Sequence, residues 1–80
     1  MRPADLLQMV RATPFEPFRI CLNSGRTFEI RHPEMVKVGK SSAYLFTYSV
    51  EEDDVIERAD IVSLLLMEAF EPIEPKRSAG

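Results

Sequence analysis

The strongest constraint on this chain lies between Phe18 and Ile30, where hydrophobicity alternates with a period of two, breaks at Asn23-Ser24-Gly25 and resumes. Phe18, Ile20 and Leu22 take one face and Arg19, Cys21 and Asn23 the other, and Phe28 and Ile30 repeat the pattern beyond the break, the signature of a β-hairpin. A three-residue loop with glycine third fits a type I turn closed by a left-handed bulge residue, which sets Leu22 opposite Arg26. The register then pairs Ile20 with Phe28 and Phe18 with Ile30 on the apolar face. On the polar face it pairs Arg19 with Glu29, two opposite charges across the ladder.

The flanking segments organise around that hairpin. Pro3 suits a first helical turn, and Leu6, Leu7 and Val10 recur on one face, with Asp5, Gln8 and Arg11 elsewhere, so a short amphipathic helix is predicted over about residues 3 to 12. Thr13 before Pro14, and then Pro17, hold the following segment extended and swing the helix back onto the hairpin. After His32-Pro33-Glu34 the sequence predicts a third strand over Met35 to Val38 and a turn over Gly39 to Ser42. A fourth strand follows in which Tyr44, Phe46, Tyr48 and Val50 alternate.

Beyond Val50 two readings compete. Ser49 with Glu52 resembles a capping box, and Val55, Ala59, Val62, Leu66 and Phe70 fall at helical spacing, which would make residues 51 to 70 one helix in an α+β fold. Alternatively Glu51 to Asp54 is a solvated hairpin loop, and Ile61 to Glu71 is one bent strand or two short ones. Residues 73 to 80, after Pro72, read as a flexible tail on a single domain spanning residues 1 to 72.

Eighty residues support one thin core. With Cys21 as the sole cysteine, neither a disulfide framework nor a thiolate zinc cluster is available to staple it, so self-association is the expected source of extra buried area. The early arginine is followed by Asp5 and too short an apolar run for a signal peptide, and Leu64 to Met67 cannot cross a bilayer, so a cytoplasmic protein without a membrane partner is expected. Residues 1 to 40 carry seven Lys or Arg against four acids, a charge of +3, and residues 41 to 80 carry three against nine, a charge of -6. That asymmetry favours packing of unlike faces over the single basic surface of most nucleic-acid binders.

The stretch T-P-F-E-P-F-R-I-C-L-N-S-G-R-T-F-E-I-R-H-P-E, followed by V-S-L-L-L-M-E, resembles a family of small bacterial proteins of planctomycete type with a P-F-x-P-F-x-I segment, a G-R-x-F hairpin, an H-P dipeptide and a late aliphatic strand. The resemblance covers roughly Leu6 to Pro72. It implies no activity, but it does imply strand rather than helix over 61 to 71. The fold class expected is therefore mainly β: one N-terminal helix and about five antiparallel strands in a small barrel or strongly curved sheet. That element order also resembles the Sm-like and SH3-like small barrels, in architecture only.

Candidate chemistry resolves residue by residue. Gly39-Lys40-Ser41 lacks the glycine a phosphate-binding loop needs five positions earlier, where Glu34 stands, and a strand rather than a helix follows; it is read as a turn. His32 has only Cys21 as a possible nucleophilic partner, and the hairpin register separates them by about 16 Å at strand rise, so a structural role is expected. Glu51 to Asp54 lacks calcium-loop spacing, and no metal or cofactor is expected. Pro14-x-x-Pro17 is assigned to the core, and Pro72-x-x-Pro75 with Lys76 and Arg77 is a minimal polyproline ligand pattern in the tail.

Two surfaces remain. Val62, Leu64, Leu65, Leu66, Met67 and Phe70 supply apolar residues at both parities of one strand, more than one inward face can use, and form the candidate interface with another copy or another protein. Arg19, Arg26, Arg31, Lys37 and Lys40 form the candidate contact for the alternative reading, an Sm-like RNA-binding regulator. The leading expectation is a non-enzymatic interaction or assembly module with the capacity to self-associate.

Overall fold

A computed structural model describes residues 1–52 and 54–73. Helix α1 (Pro3–Val10) leads into six strands: β1 (Phe18–Leu22), β2 (Thr27–Ile30), β3 (Val36–Val38), β4 (Ser42–Tyr48), β5 (Ile56–Ser63) and β6 (Met67–Pro72). They form two three-stranded antiparallel sheets, ordered β2-β1-β6 and β3-β4-β5, rather than a closed barrel. Single 3₁₀ turns, Pro33–Met35 and Leu64–Leu66, carry the chain from one sheet to the other.

The first hairpin has the register its turn chemistry dictates. Phe18 faces Ile30, Arg19 faces Glu29 and Ile20 faces Phe28, and Leu22 N–H donates to the Arg26 carbonyl at 2.9 Å. Gly25 adopts a φ of 98°, a conformation only glycine takes without strain, and so closes the loop. The Thr13–Pro14 peptide bond is cis. α1 ends at Val10, two residues short of the expected limit: Arg11 keeps its N–H on the Leu7 carbonyl but leaves helical geometry, with φ -92° and ψ 2°.

One core serves both sheets. Phe18, Ile20, Leu22, Ile30 and Met67 enter it from the first, Val36, Ala43, Leu45 and Val62 from the second, and Leu6 and Leu64 from α1 and the second 3₁₀ turn. Phe18, Leu6, Ile20 and Ile30 are sealed from solvent, each contributing roughly 1.5–3 kcal/mol of transfer free energy.

The structure decides three points of the sequence reading. Residues 51 to 70 are not a helix: Ser49 Oγ accepts from the Glu51 and Glu52 N–H groups, and Ser49 N–H donates to the Val55 carbonyl, so the apparent capping box closes a hairpin between β4 and β5. Of the two alternatives for Ile61 to Glu71, two short strands is the one found, with the 3₁₀ turn at Leu64–Leu66 between them. In β4 it is Ala43 and Leu45 that face the core, while Tyr44 is exposed; register with β5 sets Ala43 against the buried Val62 and Tyr44 against the exposed Ile61. The expected tail begins at Ile73, whose N–H donates to the Pro17 carbonyl; its remainder, with Pro75, Lys76 and Arg77, lies outside the described residues.

Candidate functional site

The outer face of the β2-β1-β6 sheet is closed by charge. Arg19, on the central strand, donates to Glu29 at 3.2 Å on one side and to Glu71 at 3.3 Å on the other, and Arg31 donates to Glu29 at 2.9 Å. Hydrogen bonds from Arg19 and then Arg31 hold the Glu29 carboxyl below its ordinary range, and the bonds to Glu29 and Glu71 raise Arg19 further. Cys21 lies in the same face, between Thr27 and Ala69. Desolvation, reinforced by the Glu71 carboxylate, pushes its thiol up, which disfavours the thiolate that nucleophilic chemistry needs.

His32 sits elsewhere, exposed at the start of the first 3₁₀ turn, where its carbonyl accepts from Met35 N–H. It lines an open cleft of about 580 Å³ with Glu29, Arg31, Glu34, Tyr48 and Asp54, and Cys21 is not in that lining. No cluster of three or more His, Cys, Asp or Glu suited to a metal ion occurs among the described residues. Gly39-Lys40-Ser41 is the turn between antiparallel β3 and β4; Gly39 N–H donates to the Ser42 carbonyl at 2.7 Å, and a Cβ on Gly39 would stand 2.9 Å from that same oxygen.

The basic residues of the nucleic-acid reading are split between the sheets. Arg19 and Arg31 are engaged by carboxylates, and the Arg26 guanidinium lies 4.8 Å from the centre of the Phe28 ring. Lys37 is on β3 opposite Tyr44, and Lys40 is in the following turn.

The apolar set divides along the period of the 3₁₀ turn. Residues three apart fall on the same side of such a turn. Leu64 and Met67 accordingly point inward at 3% and 4% exposure, while Leu65 is 84% exposed and Leu66 is exposed beside it. Val62 is also in the core, and Phe70 is half-buried with its ring 5.7 Å from that of Phe18.

This turn is fixed from both sheets. Leu64 N–H donates to the Ser41 carbonyl, the Leu66 carbonyl accepts from Asn23 N–H, and Ser63 Oγ accepts from Leu65 N–H. Leu65 is therefore held out to solvent by an ordered backbone. Sequence reasoning did not separate Tyr44 and Ile61 from the interior set: they face each other across β4 and β5, with Ile61 68% exposed, and Val50, Val55 and Ile56 are exposed at the hairpin end.

No family model, curated protein or solved structure matches the chain. No helix among the described residues is long and apolar enough to cross a membrane.

Proposed function

We propose that this domain is a non-enzymatic assembly module that associates with copies of itself through the surface built by β4, β5 and the second 3₁₀ turn. One observation carries the reading. Among the described residues, every large exposed hydrophobic side chain falls between Tyr44 and Leu66, while α1 and the β2-β1-β6 sheet contribute none. Apolar side chains gathered in one region and absent from the rest mark a surface meant to be covered. The resemblance to the planctomycete-type family belongs to the same proposal and brings no activity that competes with it.

Size-exclusion chromatography with light scattering, recording the 260 to 280 nm absorbance ratio, tests the reading on wild type and on the Leu65→Ser and Ile61→Ser variants. A nucleic-acid-free oligomer that weakens in either variant while the melting temperature holds is the expected result. A monomer at every concentration overturns self-association. An oligomer that retains nucleic acid, with binding that falls steeply as salt rises, transfers the assignment to the Sm-like RNA-binding reading.

A further inference from the structure

Each sheet leaves two strand edges, and they differ in how far a second chain could add to them. β2 offers four residues and β3 only three, with α1 packed beside it. β6 shifts register against β1 at Cys21/Leu22 and ends in Pro72, a residue without a backbone donor. β5 is different. It runs for eight residues, Ile56–Ser63, with no proline, and is the outermost strand of its sheet; its own register shift against β4, at Thr47/Tyr48, falls at its start and leaves Arg58 to Ser63 in unbroken register. Such an edge is a template for another strand unless something covers it.

Resting on the assembly reading above, we infer that the occupant of this edge is β5 of a second copy, paired antiparallel about a two-fold axis that passes through Ala59. The charges on β5 select that centre. In a symmetric antiparallel pair a residue on the axis faces itself, and its neighbours face each other reciprocally. Centring on Glu57, Arg58 or Asp60 would set a charge against its own copy, which is destabilising. Centring on Ile61 would set Asp60 against Val62 and leave Arg58 and Ile56 beyond the paired segment.

Centring on Ala59 sets Arg58 of each copy opposite Asp60 of the other, two salt links in one step, within the part of β5 that keeps regular register with β4. Within one chain Arg58 already pairs with Asp60, 3.1 Å from Nε to the carboxylate, so the cross-copy links would extend this pair into a cluster of four alternating charges. Because Ala59 pairs with Phe46 across β4, the same centre lays an unbroken apolar row over the new six-stranded sheet: Phe46, Ala59, then Ala59 and Phe46 of the second copy. The exposed Val55 of each copy comes to the Ser63 end of its neighbour, where the turn bearing Leu65 begins.

The first test places a cysteine on the axis. In a Cys21→Ser background, Ala59→Cys should form a covalent dimer under mild oxidation, because directly opposed residues lie about 4.5–5.5 Å apart between Cα atoms, within disulfide reach. Glu57→Cys should not, since its copy would lie about 14 Å away at strand rise.

The second test is complementation. Arg58→Glu and Asp60→Lys should each weaken dimerisation by about tenfold or more when alone, and an equimolar mixture should restore it. In the mixed dimer the introduced glutamate of one chain faces the introduced lysine of the other, and the retained Asp60 faces the retained Arg58. A wild-type oligomer with no Ala59→Cys cross-link, or one in which Glu57→Cys cross-links equally well, overturns this pairing and leaves the assembly reading standing. A wild-type monomer overturns both. Circular dichroism on each variant confirms the fold, and the cysteine pair, which changes no charge on β5 in the Ala59 case, decides the matter if a charge variant fails to fold.

Discussion

The two sheets share one core and differ outside it. The outer face of β2-β1-β6 is neutralised by its own residues, with Arg19 held between Glu29 and Glu71, and exposes no large apolar side chain. The outer side of β3-β4-β5 carries Tyr44 and Ile61 uncovered, and its edge strand pairs Arg58 with Asp60 within the one chain. Under the assembly proposal, mutations of similar size should act on stability in the first sheet and on association in the second.

The largest expected contrast comes from truncating one apolar residue in each. Phe18→Ala, in the sealed core of the first sheet, should cost about 3–5 kcal/mol in urea unfolding, much of what a domain this small possesses. Ile61→Ala should shift unfolding by less than about 0.5 kcal/mol and lower the oligomer mass instead. Equal losses of stability at the two positions would break the contrast.

Gly39→Ala comes next. Its Cβ would meet the Ser42 carbonyl at 2.9 Å, so the β3–β4 turn must open, at roughly 1–3 kcal/mol in the same assay. Because that turn also supplies the Ser41 carbonyl that holds Leu64 N–H, the variant should loosen the second 3₁₀ turn, seen as faster amide exchange at Leu64.

A pH series addresses the charged face. Glu29 has its folded pKa lowered, so the stabilisation it provides is fully present above the unfolded carboxylate value and is lost as pH falls through the lowered folded value. Melting temperature should therefore decline on acidification through and below the ordinary carboxylate range, and Arg19→Gln should flatten that decline. An unchanged acid limb in Arg19→Gln would show that the row across the first sheet is not what closes it. The smallest effect on stability belongs to Leu65→Ser, whose side chain is 84% exposed: the melting temperature should move within about 0.5 kcal/mol of equivalent stability while association weakens.

Legibility in the sequence divides along the same line. In the first hairpin the two faces are chemically unlike and Gly25 fixes the loop, so period and turn type together set the register residue by residue. In β4, Ala43-Tyr44-Leu45-Phe46 is apolar at both parities, and a period of two then has no phase; pairing with the buried Val62 turns Ala43, and with it Leu45, inward. β5 was hidden because an edge strand tolerates polar residues, and Glu57-Arg58-Ala59-Asp60 satisfies a helical spacing as easily as a strand. Within Leu64 to Met67 no composition argument distinguishes inside from outside; only the three-residue period of the turn does.

The nesting of the sheets bears on the order in which the molecule assembles itself. β3, β4 and β5 are consecutive and joined by hairpins, whereas β1 must find β6 across an intervening stretch that contains the whole second sheet, with Phe18 meeting Pro72. Loop-closure entropy opposes the distant pairing more than the near ones. The meander is therefore expected to gain protection first, and pulse-labelled exchange should show β4 amides protected ahead of those in β1. For that interval the β5 edge is already formed while the core beneath it is still open, so chain concentration during refolding should govern whether the domain closes alone or is caught by its neighbour.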